Sequence, residues 1–294
     1  MAYSDETNMN IAKEEYKDRP SGYILKTENN EVVGTLSDAN DNRSNNGEQI
    51  YTYTKTDGSN KIVSPDAPLS EREKVEEITI LYRGSTNPKE ILSNGGDVLR
   101  DWGANDIPMA GKIVTGGKGV TGQLEASSDY LKEMMEKYPN AKINIYGHSL
   151  GSMDAQYALA NVTDYSRIKS ANIYNGPNIY STLTEEQKIN VSALYDKINN
   201  YVDSRDSVGL GYNKGEGTVG KTYKFNGEDK ISKEVSKGKA KGALVGSVFG
   251  LGGEVIGKNI GSVFGNVAGA TDQHMWRRGK EIILMIEWQS WVLK

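Results

Sequence analysis

Five consecutive residues constrain this chain more than any other stretch: Gly147-His148-Ser149-Leu150-Gly151, a Gly-x-Ser-x-Gly pattern. A strand-like run, residues 142–146, precedes it, and an alanine-rich helical run, residues 153–162, follows. That context turns a weak pentapeptide into a structural expectation, because a strand that bends sharply into a helix lifts the serine hydroxyl above the sheet while small flanking residues relieve the crowding. Another strand-like run, residues 170–174, comes next, so the segment reads as a β-turn-α-β unit. Read as chemistry, Ser149 is a nucleophile and the backbone N–H of Leu150, at the positive end of the helix, faces a developing oxyanion.

A serine hydroxyl needs a base within hydrogen-bond reach, and an acid to hold that base in the right tautomer. The chain has two histidines and no cysteine. His148 neighbours the serine in the turn, where adjacent side chains point in different directions, and reads as a packed residue that supports the elbow. His274, in the run Thr271-Asp272-Gln273-His274-Met275-Trp276, is then the base. The order serine, acid, histidine along the chain places the acid between them, after a strand. Asp203 and Asp206 both stand at such a strand end, in Tyr201-Val202-Asp203-Ser204-Arg205-Asp206. Asp206 is preferred, Asp203 is the alternative acid, and Asp272 is a weaker third. The absence of cysteine removes disulfides, thiolate metal sites and thiol nucleophiles. The triad chemistry calls for no cofactor, and no residues are assigned to a metal.

Alternation of helical and strand-like runs continues on both sides. Residues 76–82 read as a buried strand ending at Arg83-Gly84, residues 124–138 as an amphipathic helix stopped by Pro139, residues 184–195 as a helix capped near Thr182 or Thr184, and residues 197–202 as a strand. Such alternation argues for an α/β sheet. Residues 1–70 are polar and read as small strands and loops packed on the main domain, with a hairpin in which residues 51–55 turn at Asp57-Gly58 and return over residues 61–63. Residues 71–294 are taken as the principal domain, and residues 211–270 as a cap or hairpin insertion within it. In the latter, glycines at 242, 246, 250, 253, 257, 261, 265 and 269 give each of two expected helices a flat face for close packing.

Five separated patches resemble the class 3, or fungal-type, lipase family of α/β-hydrolases, in the family's order. Tyr82-Arg83-Gly84-Ser85 is similar to the family's oxyanion loop, which gives Ser85 the role of hydroxyl donor. Leu99-Arg100-Asp101-Trp102 through Asp106 resembles the lid-proximal segment and places Trp102 and Asp106 beside substrate. Gly147 to Gly151 is the elbow, followed by Tyr174-Asn175-Gly176-Pro177 at a strand end. Asp206-Ser207-Val208 resembles the segment that bears the catalytic aspartate, favouring Asp206 over Asp203. The chain departs from the family at Ser152, where glycine is usual, at Gly209, where proline is common, and in extra residues between Ser85 and Trp102.

The resemblance implies an α/β-hydrolase fold with a central, mostly parallel sheet, an inserted lid and a Gly-rich helical hairpin. It implies a serine esterase or lipase acting on a lipid ester substrate, of phospholipase A1 type or an acylglycerol lipase, with contact to a membrane surface. The rivals are an inactive hydrolase-fold binding module and an acyltransferase using the same triad. A net charge of −4 gives no bulk attraction to nucleic acid, so no nucleic-acid partner is expected. Residues 1–16, with Asp5, Glu6, Glu14 and Glu15, do not read as a cleavable signal peptide. Cysteine-free lipases of this kind resemble effectors exported by Gram-positive type VII secretion systems. The expected location is therefore secreted, with cytoplasmic as the alternative, and a neutralising or export protein as the expected partner.

Overall fold

A computed structural model describes residues 3–45, 47–57, 60–84, 117–203 and 217–225, together with Met109, Lys112, Ile113, Gly211, Tyr212 and Gly215. The expected lid and the Gly-rich hairpin lie outside the described residues.

The described chain begins with helix α1, Asp5–Lys13, started by Ser4, whose side chain accepts from the N–H of Thr7. A 3-10 turn, Glu14–Tyr16, follows directly. Three strands come next, β1 (Ile24–Lys26), β2 (Val32–Asp41) and β3 (Gln49–Thr56), then a short helix α2 (Leu69–Arg72) and β4 (Val75–Tyr82). After β4 come α3 (Gly122–Lys137), β5 (Lys142–His148), α4 (Leu150–Ala160), β6 (Ile168–Tyr174), α5 (Glu185–Ala193), β7 (Ile198–Asp203) and β8 (Lys221–Phe225). Among the described residues, these eight strands form one sheet in sequential order. Antiparallel pairing joins β1 to β4, and parallel pairing joins β4 to β8. This mostly parallel central sheet flanked by helices is the α/β architecture expected from sequence.

Period-two alternation divides the sheet residues between two layers. Ile78, Ile80, Ile143, Ile145, Ile173 and Ile198 join the core that includes Leu124, Leu131 and Met134 of α3, Leu150, Met153 and Leu159 of α4 and Val191 of α5. Strands added in sequence with right-handed crossovers carry their connecting helices on one face, which accounts for α3, α4 and α5 sharing that core. The opposite face presents Leu81, Tyr146, Tyr174 and Tyr201 to Met9, Ile11 and Ala12 of α1. Helix α5 is fixed at its start by a reciprocal capping box between Thr184 and Gln187.

Two sequence expectations are corrected in the N-terminal third. Residues 5–13, read as part of a strand-and-loop region, form α1. Its buried set includes Thr7 and Asn8, so the buried face lacks the apolar stripe that marks an amphipathic helix. The hairpin with a return over residues 61–63 does not form: β3 has β2 along one edge and β4 along the other, which leaves no edge for a third partner. Val63 is instead buried, and its carbonyl accepts from the Tyr138 hydroxyl at 2.8 Å.

Candidate active site

The chain passes from β5 into α4 through Ser149, which adopts φ 56° and ψ −122°. A non-glycine residue in such a conformation costs roughly 1–3 kcal/mol and persists only where its surroundings over-determine it. Here they do. The Ser149 N–H donates to the Tyr174 carbonyl at the end of β6, 2.9 Å away, and the Ser149 carbonyl accepts from the Ser152 N–H at 3.1 Å. A methyl group at Gly151 would lie 2.1 Å from the Tyr82 carbonyl oxygen, so the first turn of α4 presses on the end of β4 at a distance only glycine allows. Gly147 is held in the same way, 2.3 Å from the Gly151 carbonyl oxygen by the same measure.

Ser149 is half-buried, whereas the residues on either side of it are buried. Leu150 opens α4, so its N–H has no partner within the helix and sits at the positive end of the helix dipole. A half-buried serine beside such an N–H is an arrangement that acyl transfer through a serine can use.

His148 lies beneath the elbow, 1% exposed, with Nδ1 2.7 Å from the Tyr16 hydroxyl and the two rings edge to face. Arg83, at the exit of β4, donates to the Asp18 carboxylate at 2.9 Å and to the Tyr51 hydroxyl at 3.2 Å. Asp203 ends β7 with its backbone opposite Phe225 of β8. Ser85, Trp102, Asp106, Asp206 and His274 lie outside the described residues. Among the sequence-predicted site residues, the structure therefore brings Ser149 and Leu150 together at one turn, with Asp203 at a strand end on the same carboxyl edge of the sheet.

Several residues that shape this edge escaped sequence reading. Gln156, fully buried on α4, donates to the Pro177 carbonyl at 2.8 Å and to the Ser152 hydroxyl at 3.2 Å, and its oxygen accepts from the Ile179 N–H at 3.2 Å. It ties the loop after β6 to the helix that carries the elbow. Asn178 donates to the carbonyls of Gly211 and Gly217, at 2.7 and 2.8 Å. Asn200 donates to the Tyr212 hydroxyl at 2.9 Å. A lone Gln or Asn in sequence gives no sign of this, because most of the partners are groups brought near only by folding. Asn175 also has a positive φ of 45°, at the strand end next to the elbow; its place in Tyr174-Asn175-Gly176-Pro177 was the available signal.

Among the described residues there is no group of three or more His, Cys, Asp or Glu side chains that could hold a metal ion, and no helix long and apolar enough to cross a membrane.

The family model described as Mbeg1-like matches residues 113–220. No curated protein matches the chain. Solved structures similar to it include a mutant form of MDLA from Penicillium cyclopium, at 15% identity over 74% of this chain and 77% of that one, with a TM-score of 0.40. The Lip2 lipase from Yarrowia lipolytica is 13% identical over 75% of this chain and 77% of that one, with a TM-score of 0.38. The extracellular lipase LipA from Serratia marcescens is 18% identical over 55% of this chain, with a TM-score of 0.30, and the match spans 23% of its length.

Proposed function

We propose that this chain is a serine hydrolase of carboxylic esters with Ser149 as its nucleophile. The observation that carries the reading is the backbone of Ser149: a non-glycine residue held at φ 56° between a parallel strand and a helix N-terminus, with its side chain partly open to solvent. Proteins keep such strain where it aims a functional group. In this reading the Ser149 hydroxyl attacks the ester carbonyl carbon, and its proton passes to the His274 imidazole. Charge on the carbonyl oxygen is met by the Leu150 N–H and the Ser85 hydroxyl. The tetrahedral intermediate collapses by breaking the bond to the alcohol oxygen, which takes the proton from the imidazolium and leaves an acyl group on Ser149. Water, deprotonated by the same imidazole, then releases the carboxylic acid and restores the serine. Asp206 orients the imidazole and stabilises its charged form, and His148 supports the turn.

Lipid esters are the proposed substrate class, with phospholipase A1-type cleavage first and acylglycerols second. Support comes from the five lipase-like sequence patches, Trp102 among them. Contact with a membrane surface and export by a type VII system complete the proposal and rest on the same resemblance.

The test is acid release from phospholipids, acylglycerols and short-chain nitrophenyl esters, together with labelling by a fluorophosphonate. We expect the parent chain to be labelled and active, and Ser149→Ala and His274→Ala to lose turnover. Losing the hydroxyl in Ser85→Ala is expected to lower the rate by roughly 10²-fold. Asp206→Asn should be far more damaging than Asp203→Asn. A parent chain that hydrolyses nothing and leaves Ser149 unlabelled would instead be a binding module with a hydrolase fold, and transfer of the acyl group to an added alcohol in preference to water would make it an acyltransferase.

A further inference from the structure

Glu15 is fully buried, which is rare for a carboxylate without a dedicated set of partners. It sits in the 3-10 turn after α1, and its Oε1 accepts from the backbone N–H of Gly84, 3.3 Å away and 69 positions along the chain. Burial pushes the carboxyl well above the usual carboxylate range; the Gly84 N–H, the Tyr16 hydroxyl, the Arg83 charge and the His148 backbone act the other way. These groups come from three places: the N-terminal turn itself, the exit of β4 and the last residue before the nucleophile.

Gly84 also lies hard against the elbow. A methyl group there would lie 2.3 Å from the Tyr16 hydroxyl oxygen, 2.5 Å from the His148 carbonyl oxygen and 3.3 Å from the Ser149 Cβ. Packing alone would be served by an apolar side chain at position 15, since burying a carboxyl costs free energy that only well-placed donors return. The donor in contact is the backbone of Gly84, at the exit of β4, and the next residue along, Tyr16, meets Nδ1 of His148 in the elbow at 2.7 Å.

We propose that Glu15 is a positioning residue that clamps the chain leaving β4 against the nucleophile elbow, fixing the spacing between the Gly84 backbone and Ser149 at which an ester carbonyl is attacked. The proposal rests on the reading of Ser149 as nucleophile. Displacements of about 1 Å in such a constellation can cost as much as 10²-fold in rate. A clamp of this kind acts on the chemical step and leaves substrate binding unchanged.

The experiment compares the full-length parent chain, Ser149→Ala, Glu15→Met, Glu15→Asp and Glu15→Gln for hydrolysis of p-nitrophenyl butyrate and for the rate of fluorophosphonate labelling, each normalised to the folded fraction measured by circular dichroism. Glu15→Met keeps the volume and removes the acceptor, and is expected to lower kcat and the labelling rate about 10- to 100-fold with KM within twofold. Glu15→Gln retains an acceptor for the Gly84 N–H and is expected to stay within about threefold of the parent. Should Glu15→Met fail to fold, Glu15→Asp carries the test, because it withdraws the carboxyl by one methylene and should show the same loss in kcat at unchanged KM. If the parent is labelled and Ser149→Ala is not, then a folded Glu15→Met or Glu15→Asp with parental kcat overturns the clamp alone, as does a loss that appears in KM. An inactive, unlabelled parent, or one that Ser149→Ala leaves unchanged, overturns the reading of Ser149 and the clamp together.

Discussion

The two faces of the central sheet are built from different chemistry. Under α3, α4 and α5 the strands present isoleucines and alanines, among them Ile78, Ile80, Ile143, Ile145, Ala171, Ile173 and Ile198. Under α1 the same strands present Leu81, Tyr146, Tyr174 and Tyr201, with Thr79, Asn144 and Asn172 buried along the same edge-to-edge rows. The aliphatic face is held by burial, which is non-directional and tolerant of small shifts. The tyrosine face is held by geometry. Tyr146 donates to Asn8 Oδ1 at 2.8 Å and Tyr201 to Asp5 Oδ1 at 2.7 Å, while the rings of Tyr174, Tyr201 and Tyr223 stack at 5.0 and 5.1 Å. The lesson is that α1 is seated in one register by hydroxyls and rings, and that register delivers Glu15 and Tyr16 to the elbow.

Substitutions on each face put that contrast to the test. Ile145→Ala, at a site with no exposure, should destabilise the chain by about 2–5 kcal/mol in chemical denaturation, through lost burial and the cavity left behind. A loss under 1 kcal/mol would show that the aliphatic face does not dominate stability. The next effect is one of pH. Burial holds the Glu15 carboxyl well above the ordinary carboxylate range, against the pull of the Gly84 N–H, Tyr16, Arg83 and the His148 backbone. Between the ordinary carboxylate range and that raised value the native state keeps a proton that the unfolded chain has lost. Unfolding free energy should therefore fall as pH rises through this window, and Glu15→Gln should flatten the slope. Denaturation curves at a series of pH values check this, and a slope unchanged by the substitution would mean that Glu15 titrates as an ordinary carboxyl.

Smaller effects separate hydroxyl from ring. Tyr146→Phe keeps the ring and leaves Asn8 Oδ1 without that donor, for an expected loss of about 1–2 kcal/mol with α1 loosened, read as faster amide exchange in residues 5–13. If stability and exchange stay parental, α1 is held by its apolar contacts and the two faces are alike after all. Thr184→Ala breaks the capping box of α5 away from the tyrosine face, and should cost about 1 kcal/mol while leaving exchange in α1 untouched.

Legibility in the sequence followed the range of the interactions. The unit β5-Ser149-α4-β6 could be read because strand period, alanine content and the glycine pair all act within about thirty residues, and each agrees with the others. Thr184 could be read as a cap because a capping box spans only four positions. The N-terminal helix could not, because its buried face contains Thr7 and Asn8, whose partners lie on strands more than 130 residues away in one case and on Glu28 in the other. The false hairpin return at residues 61–63 had suitable residues; what excluded it was that β4 had already taken the edge.

The sequence by itself determined that a serine would stand at a strand-to-helix turn, because two glycines and a short apolar run leave the backbone few other choices. Only the tertiary structure decided what stands behind that serine. Gln156, Asn178, Tyr16 and Glu15 meet partners across 23 to 132 positions of chain. Their hydrogen bonds depend on which strand lies beside which and in what register, and no local pattern of residue types carries that information.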